Sequence, residues 1–173
     1  MGFFSKLFGK KRQAEPVSFA REDDEAMAQA YAQARDTFKY FWRECYWEQR
    51  RIVKGLSHAA VKAPFSQEIN GQIETEHMWL DDIIFDGEQI SGTLINSPNL
   101  LTNIQSCQHI TGLPYHEISD WLMADGKKAY GGFTVQALRR QMDEAERAAH
   151  DKALGLDFGD GQSVRLALFQ DEH

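Results

Sequence analysis

Apolar residues recur at close to helical spacing between Arg21 and Arg50, and they predict a long first helix. The acidic run 22–25 suits the start of this helix, where free amide groups and the helix dipole favour negative charge. The aromatic part of the stripe could indicate a cofactor box, but a helix that covers a sheet needs the same stripe, so we interpret it as core. The apolar positions are Met27, Ala30, Tyr31, Ala34, Phe38, Phe41, Trp42, Cys45 and Tyr46.

Shorter apolar runs after residue 55 predict strands that are joined by tight turns. The central prediction is a hairpin over 73–96, in which Asp86-Gly87 supplies both positive-φ positions of a type I′ turn. Asn70-Gly71 predicts a turn before it, after a first strand over 59–65 that is limited by Pro64. Both faces of the arm 73–85 carry large apolar groups, which predicts a central strand covered on both sides. Alternation places His77, Trp79, Asp81, Ile83 and Phe85 on one face and Glu76, Met78, Leu80, Asp82 and Ile84 on the other.

The second half of the chain predicts another hairpin and a second helix. A short strand is expected around 107–110, a turn at 112–114, and a hairpin over 117–134 that turns at Asp125-Gly126. Gly131-Gly132 suggests a bulge or a close approach of two backbones. A helix should begin at Thr134 as N-cap and stop at Gly155. The expected fold is therefore α+β, with an antiparallel, strongly curved sheet of about five to six strands packed by an N-terminal and a C-terminal helix.

Length and composition favour one domain with two tails. With 173 residues and 42% hydrophobic content the chain can bury one core. We assign residues 1–20 to a basic amphipathic tip and linker, 21–155 to the domain and 156–173 to a C-terminal tail. The formal net charge of -7 argues against nucleic-acid binding, which needs an excess of Lys and Arg. The acidic body instead suits a basic protein partner.

The first twelve residues differ from the body because their charged side chains are all basic. Their apolar residues form one helical stripe, which predicts weak contact with an anionic membrane surface. A frayed terminus or a docking peptide for another protein is the alternative. No apolar run is long enough to span a membrane and no signal-peptide core is evident, so we expect a cytoplasmic protein, with peripheral contact at the inner face of the membrane. The residues assigned to this contact are Phe3, Phe4, Leu7, Phe8, Lys10 and Lys11.

Three blocks together resemble a bacterial family, the YegJ-like domain of unknown function 2314. The blocks are EHMWLDDIIFDGEQISGTLIN, EISDWLMADGK and GGFTVQALRRQM, and the resemblance covers roughly residues 27–142. A Gly-Asp pair expected before the ISDW block is replaced here by Gln108-His109. The resemblance implies a small α+β domain, and it implies no established activity.

One dense group of ionisable residues lies near the central strand. Carboxylates and a histidine can bind a divalent metal or perform acid–base chemistry, which would make a metal-assisted hydrolase. The spacing matches no HExxH, GxSxG, P-loop or GxGxxG motif, and the two cysteines are far apart, so we predict no metal and no cofactor. The alternative is that the strand residues are ordinary polar groups and that Asp120 caps a turn. The group contains Glu74, Glu76, His77, Asp81 and Asp82; the catalytic candidates are Glu76, His77, Asp81 and Asp120.

Aromatic side chains of the two hairpins give a second candidate, a binding platform. Trp79, Trp121 and Tyr130 would form it if they are exposed, whereas strand tryptophans more often fill the core. As core residues, Trp79 and Trp121 would meet under the first helix. The favoured function is a non-enzymatic protein-binding factor of an accessory or immunity-like kind, with the metal-assisted hydrolase as alternative. The oligomeric state is left open.

Overall fold

The computed structural model of the chain describes residues 25–161 and 163–167. Within these residues a long helix comes first, six strands follow, and two short helices come after them. The elements are α1 (Glu25–Arg50), β1 (His58–Ile69), β2 (Gln72–Phe85), β3 (Gln89–Leu94), β4 (His109–Pro114), a 3₁₀ turn (Tyr115–Glu117), β5 (Asp120–Asp125), β6 (Lys128–Gly131), α2 (Phe133–Arg139) and α3 (Glu144–Leu154).

The six strands form one sheet in the order β4-β3-β2-β1-β5-β6. Every neighbouring pair is antiparallel, so the predicted α+β class is confirmed. The sheet is open and is not strongly curled, in contrast to the strong curvature that we expected. Pro64 does not limit β1, because β5 pairs only with residues 58–62 and the proline therefore has a strand on one side alone.

Helix α1 covers one face of the sheet and forms the larger core with it. Met27, Ala34 and Phe41 of the helix are buried there, as predicted from their spacing. Cys45 belongs to the same core, and burial, aided by Glu44 and Glu48, raises the pKa of its thiol to about 12. The cysteine is therefore a packing residue rather than a nucleophile.

A second, smaller core lies on the opposite face and separates the two central tryptophans. Trp121 packs under α1 at 5.7 Å between ring centroids from Phe41, whereas Trp79 belongs to the second core. The register explains the separation, because Val61 pairs with Trp121 while Lys62 pairs with Trp79. The expected contact between the two tryptophans is therefore wrong.

A β-bulge in β2 changes the predicted alternation. The register with β3 shifts between Asp81 and Ile84, and Asp82 has a φ of 50°. Beyond the bulge Ile83 packs under α1, on the other face from Trp79, and Ile84 is exposed. Both faces of β2 are covered as predicted, but the residues do not alternate strictly along the strand.

The turns that follow β1 and β2 differ in conformation. Asn70 and Gly71 have φ values of 54° and 80°, which confirms the predicted positive-φ turn. At the next turn only Gly87 has positive φ, and the Asp86 carboxylate accepts hydrogen bonds from the amides of residues 88 and 89. The expected type I′ turn is therefore wrong at Asp86-Gly87, where the side chain of Asp86 stabilises the turn instead. The turn expected at 112–114 is part of β4.

The predicted C-terminal helix is divided into α2 and α3. Its N-cap is Gly132 rather than Thr134, and a new helix begins after Asp143, which forms a capping box with Glu146. Gly155 ends α3 in a left-handed conformation, as predicted.

Residues after Gly155, which we expected to form a tail, pack against the sheet. Leu156 and Phe158 are buried in the second core. The carbonyl groups of Asp157 and Arg165 accept hydrogen bonds from the amides of residues 129 and 131 of β6. The packed unit therefore continues past Gly155.

The membrane-contact residues predicted at the N-terminus lie outside the described part of the chain; they are Phe3, Phe4, Leu7, Phe8, Lys10 and Lys11. Among the helices of residues 25–161, none has the length and apolar character that crossing a membrane requires.

Candidate functional site

Asp120 begins β5 and is fully buried, and its carboxylate holds the start of α2. Oδ1 accepts hydrogen bonds from the amides of Trp121 at 2.8 Å and Phe133 at 2.9 Å. Oδ2 accepts from the amide of Thr134 at 2.8 Å and from its hydroxyl at 2.6 Å. Because the N-cap Gly132 has no side chain, Asp120 caps α2 from a neighbouring strand. This is the capping role expected as the alternative to catalysis.

Lys62 lies beside Asp120 on the next strand and is connected to it through Thr134. Its Nζ is 3.5 Å from the Thr134 hydroxyl and 5.6 Å from the centroid of the Trp79 ring. Burial lowers the pKa of Lys62. Burial also raises the pKa of Asp120, against the opposing influence of Thr134, Lys62 and the amides of α2. A carboxylate has about four acceptor positions, and all four of Asp120 are used within the chain, so it has none left for a metal or a substrate.

His77 forms a pair with Ser119. Its Nδ1 is 2.5 Å from the Ser119 hydroxyl, and its ring stacks on Tyr31 at 5.2 Å between centroids. Burial, with the positive charges of Lys62 and Arg35, lowers the pKa of His77 to about 4. A Ser–His pair in a hydrolase needs an accessible hydroxyl and a carboxylate that stabilises the imidazolium. Ser119 is 1% exposed and cations face His77 instead, so this pair is not arranged for nucleophilic catalysis.

Glu76 and Asp81 lie in two further, separate environments. The carboxylate of Glu76 accepts hydrogen bonds from the amides of residues 99–101 and holds the segment after β3. Asp81 lies at the bulge and lines a cavity of about 410 Å³, where burial and the adjacent Asp82 raise its pKa. The four catalytic candidates thus bind different partners. Within the described ranges, no three His, Cys, Asp or Glu side chains are grouped to hold a metal.

The three aromatic binding candidates are buried rather than exposed. Trp79, Trp121 and Tyr130 are 6%, 0% and 3% exposed. The indole N–H of Trp121 donates to the carbonyl oxygen of Ala34 at 3.0 Å, so its polar atom is satisfied inside the core. The exposed platform is therefore not formed by these residues.

A different set of aromatic side chains lines a groove at the surface, which we call the α1 groove. It lies between α1, the turn after β2 and the 3₁₀ turn, and its volume is about 560 Å³. The ring of Phe85 makes edge contacts with Phe38 and Trp42 at 5.3 Å and with Tyr115 at 5.7 Å. These rings come from three parts of the chain, so their convergence was not visible in the sequence.

Three cations and one acid complete the lining of the α1 groove. Arg35, Lys39 and Arg43 follow one another at intervals of four residues on α1, and Asp36 is the acid. Positions i and i+4 share one face of a helix, and this spacing was the available signal. The Arg35 Nε donates to the carbonyl oxygen of Ile118 at 2.8 Å, which fixes one end of the cationic row. Arg43 pairs with the buried Glu44 at 3.3 Å, so the positive charge of the groove comes from Arg35 and Lys39, with Asp36 opposing it.

A sequence model of a bacterial family described as "Uncharacterized protein conserved in bacteria (DUF2314)" matches residues 24–158. The chain belongs to this family. The matched range ends at Phe158, so it includes Leu156 and Phe158, which pack after α3 of this DUF2314 domain.

Two relatives show how this DUF2314 domain occurs in other proteins. A protein of Neisseria meningitidis serogroup B named "Putative ankyrin repeat protein" is 46% identical over 157 residues, which are 91% of this chain and 62% of that protein. The chain thus spans less than two thirds of the length of this relative. "Uncharacterized protein YegJ" of Escherichia coli K12 is 32% identical over 117 residues, 67% of this chain and 69% of that protein. No solved structure matches the chain.

Proposed function

We propose that this DUF2314 protein is a non-enzymatic binding domain that holds an acidic, partly apolar segment of a partner protein in the α1 groove. The observation that carries the proposal is the combination of an aromatic lining with a row of three cations. A volume of about 560 Å³ lies within the range of functional binding sites in proteins.

The two kinds of side chain have different tasks in this proposal. The aromatic lining, to which Trp42, Phe85 and Tyr115 contribute, supplies apolar area that loses contact with water when a partner binds. Arg35 and Lys39 are exposed on α1 and attract carboxylates of the partner segment, whereas Arg43 is already paired with the buried Glu44. The acidic body of the chain predicted a basic partner, but the charge of the groove itself favours an acidic segment at this site.

The Neisseria relative gives separate support for a role in protein association. About 100 residues of that relative lie outside the match, which is about the length of three 33-residue ankyrin repeats. Repeat arrays of this kind present extended surfaces to other proteins. An accessory or immunity-like function, in which one protein binds another without chemistry, is consistent with this combination.

Fluorescence anisotropy with two labelled peptides tests the proposal. One peptide contains Asp and Glu residues around two Phe or Leu residues, and the other has Lys in place of each acid. We expect the acidic peptide to bind at least about tenfold more tightly, with a difference that decreases as salt is added. Lys39→Glu should reduce this preference. Lys127→Glu makes the same charge change at an exposed position outside the groove and should not.

Equal binding of both peptides, or equal effects of the two charge reversals, would show that the α1 groove is not the site. Stronger binding of the basic peptide would assign binding to the acidic body instead. Affinity capture from a bacterial lysate, with the wild-type chain and Lys39→Glu as paired baits, then identifies the partner whose recovery depends on the groove.

A further inference from the structure

The end of α1 and the loop that follows it expose four large apolar side chains. Ile52 and Val53 are 101% and 81% exposed, the highest values among the large apolar residues that the structure describes. Tyr46 and Trp47, in the last turns of the helix, are 40% and 53% exposed, and their rings touch at 5.6 Å between centroids. We call these four residues the α1-end surface. Large apolar groups exposed between residues 46 and 53 are of the kind found where proteins contact other molecules or lipid.

Several hydrogen bonds hold the loop in this conformation. The Glu48 carboxylate accepts from the amide of Gly55 at 2.9 Å and from the guanidinium of Arg51 at 3.1 Å. The Nζ of Lys54 donates to the backbone carbonyl of Glu48 at 2.7 Å. Burial alone would raise the pKa of Glu48, but the amides of Gly55 and Leu56 and the guanidinium of Arg51 lower it, so the carboxylate is ionised at neutral pH. Residues 52 and 53 are therefore exposed in a loop whose conformation is stabilised by hydrogen bonds.

The acidic side chains of this region form ion pairs with arginines of the same chain. Glu44 is 3% exposed, and its carboxylate contacts Arg43 at 3.3 Å and Arg51 at 3.6 Å. Glu48 is paired with Arg51. The charges of these acids are therefore largely neutralised before any partner approaches.

The cations that remain beside the α1-end surface are Arg50 and Lys54. The guanidinium of Arg50 lies 3.5 Å from the centroid of the Tyr46 ring, so charge and aromatic surface are presented together. Asp81 and Asp82 line the cavity that Glu48 also lines, and they will oppose the approach of an anionic surface. Binding to such a surface therefore needs the apolar contacts as well as the two cations.

We propose that the α1-end surface binds the interface of a membrane that contains anionic lipid. Trp47, Ile52 and Val53 enter the headgroup region, while Arg50 and Lys54 contact lipid phosphates. Tryptophan and tyrosine favour the boundary between water and lipid, and cations add attraction to anionic headgroups. Contact of residues 1–12 with the same membrane would be a second attachment, and the two together would bind more strongly than either.

Vesicle sedimentation with the full chain tests the proposal. Vesicles of phosphatidylcholine alone are compared with vesicles that contain about one third phosphatidylserine, and the wild-type chain should favour the anionic ones. The double variant Ile52→Ser/Val53→Ser should weaken this binding by at least about tenfold, and Lys54→Gln by about fivefold. Ile73→Ser is the control, because Ile73 is 76% exposed and lies near the tip of the β1–β2 hairpin instead.

The double variant removes side chains that are almost fully exposed, so its thermal midpoint should equal that of the wild-type chain. Equal partitioning of the double variant and the Ile73 control would overturn the proposal, and so would equal binding to both kinds of vesicle. If gel filtration shows a dimer that the double variant abolishes while vesicle binding is unchanged, the surface is an interface between copies and the lipid proposal is wrong.

Discussion

Replacing Asp120 by alanine should destabilise the protein more than almost any other single change at a charged residue. The carboxylate accepts hydrogen bonds from three amides and one hydroxyl, and none of its surface is exposed. In Asp120→Ala the amides of Trp121, Phe133 and Thr134 lose their acceptor. An unsatisfied buried donor costs about 1–3 kcal/mol, and three amides are left without their acceptor. Because these amides are neighbours and their costs do not simply add, we expect a loss of about 4 kcal/mol.

The asparagine variant separates the capping bonds from the charge. An amide oxygen in the place of Oδ1 still accepts from the amides of Trp121 and Phe133, and the amide nitrogen can donate to the hydroxyl of Thr134. The backbone amide of Thr134 is then left without an acceptor, so Asp120→Asn should cost about 2 kcal/mol. Asp125→Ala is the matched control at the exposed end of the same strand, and it should change stability by less than about 0.5 kcal/mol.

Urea unfolding followed by tryptophan fluorescence measures these differences. With a slope of about 2 kcal/mol per molar urea, a loss of 4 kcal/mol lowers the midpoint by about 2 M. Hydrogen exchange adds a local test, because the amides of α2 should lose protection first in Asp120→Asn. Equal midpoints of Asp120→Ala and Asp125→Ala, or unchanged hydrogen exchange of α2 in Asp120→Asn, would contradict the capping role of Asp120.

Two further predictions concern His77 and Gly131. Because the pKa of His77 is lowered from 6.5 to about 4, the unfolded chain binds the proton more readily, so stability is complete above pH 6.5 and falls as the pH decreases toward 4. Between pH 7 and pH 5 we expect a loss of about 1–2 kcal/mol after allowance for solvent screening. Urea unfolding should find this loss reduced in His77→Asn and kept in His109→Gln, which changes an exposed histidine. Gly131→Ala should cost about 3 kcal/mol or more in thermal or urea unfolding, since a Cβ there would lie 2.3 Å from the carbonyl oxygen of Trp121 at a φ of 71°. Gly126→Ala, which has a φ of 57° and no neighbouring atom within 4 Å, should cost only about 1 kcal/mol, and equal losses would contradict the steric argument.

The sequence predicted those elements whose signals are local. In the 26-residue helix α1 the buried stripe runs from Met27 to Cys45, and its regular spacing identified the packed face. Tyr46, which was also assigned to the stripe, is 40% exposed. Asn70-Gly71 adopts the conformation that its residue types favour. The close backbone approach expected at Gly131 is also present, because the space that a Cβ would need there is filled by Trp121.

Elements that depend on distant residues were not predicted correctly. The bulge at Asp82 has no local signal; the side chain of Ile83 occupies the space above Gly92, where a Cβ would come within 2.9 Å of it. Thr134 has the residue type of an N-cap, but its hydroxyl donates to Asp120, which is on a strand. The start of α3 did carry a local signal, since Asp143 is followed three residues later by Glu146.

The candidate site also depends on contacts between distant residues, which local sequence does not show. Sequence proximity grouped Glu76, His77 and Asp81. In the structure Glu76 binds the segment after β3, His77 pairs with Ser119, and Asp81 lines the cavity at the bulge. Spacing along one strand cannot specify which partners each side chain meets across the sheet. The α1 groove was missed for the converse reason, because Phe85 and Tyr115 reach α1 only after the sheet has formed.

The residues that lie beside β6 determine whether this edge of the sheet can pair with a strand of another chain. The carbonyl groups of Asp157 and Arg165 accept hydrogen bonds from the amides of residues 129 and 131 of β6, so these amides are not available to pair with another strand. At the opposite edge β4 has six residues, with Gly112 at a φ of 73° and Pro114 at its end, and neither residue continues a regular ladder. Strand addition and edge-to-edge aggregation are therefore both disfavoured. Contacts of this domain with other chains are therefore expected through side chains rather than through the pairing of strands.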